Sequence, residues 1–283
     1  GWHSTSTLGV IGAAAGTGKA LNLSCEQLEA ALGLAASRSA GLRENFGTMT
    51  KALHVGFAAR DGSEAALLAA ASVNSSSKAL DGKFGFLNVL APDHHPMEHF
   101  AEILGKPFEF VNPGLSYKLY PSCGDTHSAL DAVFELRQEN ALTPERVLGV
   151  RCGITSLAAS NLTFHDPQTV LEAKFSLEFC IAVCLAYGRL GLSEFNPEVL
   201  GDKSIRNLMR LVDVGVSTEL EGRDQLRYSP AIIEIETTEG NKLRKVVRVA
   251  KGNPGFPLSF ADLKEKFVAC AKPVLRDKAV QQI

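Results

Sequence analysis

Apolar positions in roughly the first 110 residues recur at helical spacing, with small residues crowded between them. Thr5 to Ala20 is rich in Ala and Gly, a composition that lets a helix pack very close to its neighbours. Ser24-Cys25-Glu26-Gln27 has capping-box spacing, and Leu28, Leu32 and Ala35 follow at helical period, so a second helix is expected there. A loop from about Gly41 to Thr50 leads to a third helix, about Leu53 to Ala71, whose alanine-rich face suits burial between helices. Asn74 to Lys78 reads as a serine-rich connector, and Pro92 to Leu104 as a further helix.

The texture changes near Pro113. Pro121 to Thr126 precedes the apolar period Ala129, Val133, Leu136, which starts a helix close to Gly124 or Asp125. Val147 to Leu157 reads as a strand, Thr169 to Tyr187 as a long helix and Ser204 to Val212 as a shorter one. Period two around Ile232 and again from Leu243 to Val249, joined by Glu239-Gly240-Asn241, is a β-hairpin. Pro254 and Pro257 break the chain, and Ser259 caps a last helix carrying Leu263, Phe267 and Cys270. The expected fold is mainly α with an α+β lobe. A helical domain covers 1–112, an α+β lid 113–253, and a C-terminal helix in 254–283 returns to the helical domain.

Length agrees with more than one core: 283 residues exceed the usual size of a single compact domain. At 45% apolar and 21% charged, the composition is that of an ordinary globular protein. A formal charge of −2 leaves no basic surplus for a phosphate backbone, so nucleic-acid binding is not expected. Apolar runs such as Ala65 to Ala71 are far short of the ~20 residues that span a bilayer, so no membrane role is expected either. The opening Gly1-Trp2-His3 carries no basic stretch of a signal peptide. Six cysteines without a C-x-x-C pair point to reduced thiols. The expected compartment is the cytoplasm, with the mitochondrial matrix as the alternative if the sequence continues upstream of Gly1.

Three sites of candidate chemistry can be weighed on spacing alone. Gly12 to Lys19 resembles a phosphate loop, but its spacing is one residue too long, Ala20 replaces the required Ser/Thr, and no strand precedes it. His95 and His99 stand at i, i+4 beside Asp93 and His94, a helical zinc geometry without a persuasive third ligand, so no metal is expected. Cys123 and His127, also four apart, have the spacing of a thiol nucleophile and its base.

More informative is a set of polar residues at helix starts. His3 with Ser4, Thr5 and Thr7 opens one helix, Arg43 to His54 leads into a second, and Tyr117 to Cys123 leads into a third. Cations and hydroxyls beside helix N-termini favour anions. Two lysines, two histidines and several hydroxyls of this kind suit a small substrate with two or three carboxylates. The same residues also serve as ordinary caps and surface loops, and spacing alone leaves both readings open.

Gly1-Trp2-His3-Ser4-Thr5 with Gly9 and Gly12 to Ala15 resembles the G-[FW]-H-x-T…G…GAAAA segment of the MmgE/PrpD family, which includes 2-methylcitrate dehydratase-like proteins and cis-aconitate decarboxylases. Ala35-Ala36-Ser37 with Ala40-Gly41, Asn45 to Lys51 and His54-Val55-Gly56 are similar to its A-x-S-x-x-A-G and N-F-G-T-M-T-K-P-L-H-x-G signatures. Lys118 to Cys123 with Thr126-His127 resembles its K-x-Y-P-S-C-x-x-T-H stretch, Glu172 to Leu177 its E-A-K-F-S-L, and Pro257-Leu258-Ser259 its late P-L-S.

The resemblance implies a helical domain with a smaller α+β lid, a homodimer, and a cofactor-free lyase for small polycarboxylates. It places His3, Lys51 and Lys118 on catalytic positions that bind carboxylates or move protons. Thr48, His54, Ser122, Cys123 and His127, in the same motifs, are the candidate substrate-binding groups. Cys123 falls where some decarboxylase members have histidine, Ala52 replaces the usual proline, Phe57 a commonly basic residue, and Phe179 stands where tyrosine is common. Family members carry well over a hundred further residues before the G-[FW]-H motif. The expectation is therefore a fragment, a truncated product or a diverged short member, with a catalytically inactive scaffold or dimer partner as the rival to the lyase and a Cys123/His127 thiol enzyme as a further alternative.

Overall fold

A computed structural model of the protein describes residues 1–93, 100–222 and 228–281. By packing, the chain divides into two units, Gly1–Ile103 and Leu104–Ile283.

The first unit is helical: α1 (Ser4–Ala20), α2 (Cys25–Ser37), α3 (Met49–Ala70) and the short α4 (Phe86–Leu90) and α5 (Phe100–Ile103). Small residues let its three long helices approach closely. Val10, Ala14, Ala35, Ala58 and Ala65 form one buried cluster, and Ala31, Ala66 and Ala69 another. Gly9 faces Ala58, and Thr17 Oγ1 lies 3.0 Å from Ser63 Oγ, so contacts advance together along α1 and α3 and the two run in the same direction. Between them α2 returns: Gly18 faces Leu28, and Ser39 beyond its end donates to the carbonyl of Thr7 at 2.8 Å. Gly62 marks the tightest crossing. A Cβ there would stand 2.3 Å from the Val10 carbonyl oxygen and 2.6 Å from Ala13 Cβ, so nothing larger than glycine fits.

The caps explain the helix starts. Ser24 and Gln27 form the expected capping box. Thr48 accepts from the Thr50 N–H and starts α3 at Met49, four residues before the expected Leu53, which brings Lys51 into the first turn. Of the expected helix over 92–104, Phe100–Ile103 is helical, and 94–99 lie outside the described residues.

The second unit lays helices on a four-stranded sheet. Its elements are α6 (His127–Glu139), β1 (Val147–Ile154), α7 (Ser156–Asn161), α8 (Val170–Ala173), α9 (Leu177–Tyr187), α10 (Pro197–Gly201), α11 (Lys203–Met209), β2 (Val212–Val216), β3 (Ala231–Thr237), β4 (Lys242–Val247), α12 (Phe260–Ala271) and α13 (Asp277–Gln281). Strand order is β2-β1-β3-β4, with β1 and β2 parallel and the other pairs antiparallel. The expected hairpin is β3 and β4, turning at Gly240 with φ +82°, a left-handed conformation that suits glycine. α6 packs on β3 and β4, while α9 lies against α6, α11 and β2. Every residue of α9 from Leu177 to Leu185 is buried, as an all-round apolar helix requires.

Three expectations are corrected. The long helix over 169–187 is two helices: a Thr169/Glu172 capping box starts α8, and Ser176 accepts from the Phe179 N–H to start α9. The strand expected to reach Leu157 stops at Ile154, because Thr155 caps α7. The helix expected over 204–212 ends at Met209, and Val212 opens β2, which was not anticipated. The fold class is mainly α with an α+β unit. The last long helix, α12, is tied inside the second unit by Lys251 Nζ to Asp262 Oδ1 at 2.7 Å.

Candidate active site

The residues singled out from the sequence fall into two groups, one in each unit. In the first, the chain entering α1 pairs with the segment before the Arg43–Asn45 turn. His3 N–H donates to the Gly41 carbonyl, Arg43 N–H donates to the Gly1 carbonyl, and Trp2 bridges Leu42. Gly41 holds φ +126°, and a Cβ there would stand 2.6 Å from Ser6 Cβ, so this register needs glycine. His3 thereby becomes the N-cap residue of α1, with its imidazole buried.

His3 Nδ1 lies 2.9 Å from His54 Nδ1, which α3 supplies from its second turn. The His3 ring meets the edge of Phe46 at 5.0 Å between centroids, and Lys51 Nζ stands 5.8 Å from the centroid of the same Phe46 ring. Burial, and then the positive charge of Lys51, hold the His3 imidazole below its ordinary pKa, so it is neutral near pH 7. His54 also walls an open cavity of about 360 Å³ with Ser6, Arg38, Phe57, Arg60 and Asp61. Thr48 is brought close in sequence but spends its hydroxyl on the backbone. It donates to the Asn45 carbonyl at 2.7 Å and accepts from Thr50.

In the second unit, Lys118, Ser122, Cys123 and His127 share one loop and the start of α6. Lys118 Nζ donates to the Ser122 carbonyl at 2.9 Å. Ser122 Oγ lies 2.7 Å from Thr126 Oγ1, which donates to the Cys123 carbonyl. The loop is anchored from behind by the Cys123 N–H donating to the Lys174 carbonyl at 2.8 Å, so the E-A-K-F-S-L stretch serves it through main chain and caps. His127 is buried, packs edge-on to Tyr120, and its Nε2 has no hydrogen-bond partner. Burial, helped by the Lys118 charge, pushes its pKa down to about 4.

The thiol pair is not favoured by these surroundings. Burial and the Asp125 carboxylate push the Cys123 thiol up to about 11, and its Sγ sits 3.6 Å from Asp125 Oδ2. A thiol so held is protonated at neutral pH, opposite to what a nucleophilic cysteine needs.

Sequence reasoning missed three residues that organise this loop. Asp125 gathers Asn161 Nδ2 at 2.8 Å and the Ser229 hydroxyl as well as the thiol. Asp131 accepts from Tyr120 OH at 2.6 Å and from the Lys251 N–H at 2.7 Å, which raises the Tyr120 pKa, burial being the larger cause. A carboxylate amid Ala129, Leu130, Ala132 and Val133 was a legible signal, since such a group must find partners when buried. Lys266, whose ammonium bonds the Lys118 carbonyl, left no local signal, being 148 residues away. Among the described residues no group of three or more His, Cys, Asp or Glu is placed to hold a metal ion, and His94, His95 and His99 lie outside the described residues. No helix among the described residues is long and apolar enough to cross a membrane.

Each unit thus holds a buried histidine that a lysine's charge helps to keep neutral, one on the small-residue helical unit and one on the α+β unit. The chain belongs to the MmgE/PrpD family: its N-terminal domain matches residues 1–99 and its C-terminal domain residues 120–283. Among curated proteins it is similar to the cis-aconitate decarboxylase-like protein oryM of Aspergillus oryzae, 27% identical across the whole of this chain and 61% of that protein. The cis-aconitate decarboxylases of Homo sapiens and Aspergillus terreus are each 26% identical, again across the whole chain, over 58% and 60% of their own lengths. The chain thus spans about three fifths of the length of these relatives.

Proposed function

We propose that this protein is a lyase, a decarboxylase or dehydratase, acting on a small di- or tricarboxylate such as cis-aconitate or 2-methylcitrate. The observation that carries the reading is the recurrence, in each unit, of a buried histidine beside a lysine whose charge helps keep the imidazole neutral. The names of the relatives support the same class.

Losing CO2 from a β,γ-unsaturated acid leaves an electron pair that the neighbouring carboxylate must delocalise before carbon is protonated. Losing water from a β-hydroxy acid removes a proton beside a carboxylate. In both, negative charge grows next to a carboxylate, and a fixed ammonium stabilises it. Lys51 and Lys118 are assigned to bind carboxylates, and His3, neutral near pH 7, to accept the proton as a base and, once protonated, to return it, or to act as a hydrogen-bond donor. Thr48, His54, Ser122, Cys123 and His127 are assigned to the substrate, although Thr48 and Ser122 already spend hydroxyl bonds within the protein.

The reading extends to a cofactor-free reaction and to a homodimer in the cytoplasm or mitochondrial matrix. Leu53 and Phe57, one turn apart on α3, stand exposed on one face that a second copy would cover.

NMR of cis-aconitate, 2-methylcitrate and citrate incubated with the protein tests the proposal. Turnover of one of them is expected, unchanged by dialysis against a strong chelator. Lys51→Ala and Lys118→Ala should each lower kcat/KM about 100-fold, the size expected for removing one charge-stabilising group. Undiminished turnover in both variants would sink the assignment. A folded protein that turns over none of the three substrates would shift the reading to a catalytically inactive scaffold or dimer partner.

A further inference from the structure

The C-terminal segment clasps the Lys118 loop at two points and α6 at a third, and a fourth bond braces the segment itself. The Tyr117 N–H donates to the Gly252 carbonyl at 2.7 Å, and the Lys251 N–H to Asp131 Oδ2 at 2.7 Å. Lys251 Nζ reaches Asp262 Oδ1 at the start of α12, and Lys266, midway along that helix, bonds the Lys118 carbonyl. Gly252 has φ +98°, and a Cβ on it would stand 2.1 Å from the Tyr117 carbonyl oxygen, so the clasp depends on glycine at its closest point.

Three features then meet at one place. The Lys118 ammonium is folded back onto the Ser122 carbonyl, within the loop that leads to His127. His127 is 4% exposed, yet its Nε2 has no partner. A buried polar atom of this kind is destabilising unless something supplies its bond, and a bound carboxylic or hydroxyl group is of the right chemistry. The positive charge of Lys266 acts on the imidazole in the same sense as that of Lys118.

We propose that Lys266 is a positioning residue of the carboxylate site at Lys118, holding the Lys118 main chain and adding a second positive charge beside His127. The inference rests on the lyase reading and deepens it, by making α12 part of the substrate-binding apparatus. Lys266 acts through Lys118 and His127, since its own ammonium is committed to the Lys118 carbonyl.

Three variants of the intact protein separate the possibilities: Lys118→Ala, Lys266→Met and Lys266→Arg. Lys266→Met should raise KM for the substrate about tenfold with kcat changed less, as loss of a charged bond implies, and Lys266→Arg should restore most of it. In Lys266→Met the His127 imidazole, followed by NMR, should titrate at higher pH than in the parent, a readout that needs no turnover. A Lys118→Ala effect with parental KM and an unmoved His127 titration in Lys266→Met would overturn this inference and leave the lyase reading standing. Parental kinetics in Lys118→Ala would instead remove the lyase reading's binding group. If Lys266→Met does not fold, the arginine variant decides: a KM or His127 titration far from the parent's, with charge retained, would contradict the role.

Discussion

His3 Nδ1 and His54 Nδ1 face each other at 2.9 Å, so one nitrogen must donate and the other accept. Two imidazolium rings would oppose N–H to N–H across this gap, so the neighbour disfavours a charge on His3. Lys51, in the first turn of α3, presses the same way on His3.

The His3 titration reads this arrangement directly. By NMR its midpoint should lie below 6.5, and Lys51→Ala should raise it without bringing it fully to 6.5, because burial is the larger cause. A midpoint indifferent to Lys51→Ala would show that the lysine is not electrically coupled to the histidine.

His127 imposes a pH window on stability. As pH falls below 6.5 the unfolded chain takes up a proton that the folded protein refuses until about 4. Its contribution is thus fully present above 6.5 and is lost between 6.5 and about 4, amounting to about 3 kcal/mol. Urea denaturation should show the parent losing more stability than His127→Asn between pH 7 and pH 4.5. Parallel losses in the two proteins would contradict the assignment.

Cys123 should behave as a quiet thiol. At pH 8 iodoacetamide should modify the exposed Cys25 and Cys270 and spare Cys123, whose thiol is pushed up to about 11. Any loss in Cys123→Ser should appear in KM rather than in kcat, as for a substrate-binding group, since no thiolate is being lost. Rapid alkylation of Cys123 with parallel loss of activity would bring back the thiol-enzyme alternative.

Gly62→Ala probes the helical unit. The new methyl would press on the Val10 carbonyl and Ala13, and separating α1 from α3 should cost about 3 kcal/mol. Gly12→Ala, where nothing lies within 4 Å, is the control and should be neutral or slightly stabilising. Equal denaturation midpoints for the two variants would rule out the close crossing.

Elements whose signals are local were legible in the sequence: the Ser24 capping box, the β3–β4 hairpin and the Ser259 cap of α12 all stand where spacing put them. Elements that depend on distant partners were not. The strand β2 is short and glycine-containing, and it exists through parallel pairing with β1, some sixty residues earlier. The break before α9 hides because it is only three residues long and holds neither glycine nor proline, so the Ser176 hydroxyl marks the new start. At the site, His3 with His54 and Lys118 with Ser122 are brought within bonding distance. Asp125 and Lys266 escaped notice because their meaning lies in partners at Ser229 and Lys118, far along the chain.

The enclosure of α9 from Leu177 to Leu185 has a consequence in time. Its amides sit behind α6, α11 and the sheet, with no face from which solvent can enter by a small opening. Their deuterium uptake should proceed only when the whole second unit opens, making them its slowest-exchanging hydrogens. The Cys123 amide, bonded to the Lys174 carbonyl just ahead of that helix, should exchange nearly as slowly. The Lys118–His127 loop would then keep its shape on the timescale of global unfolding rather than of loop motion.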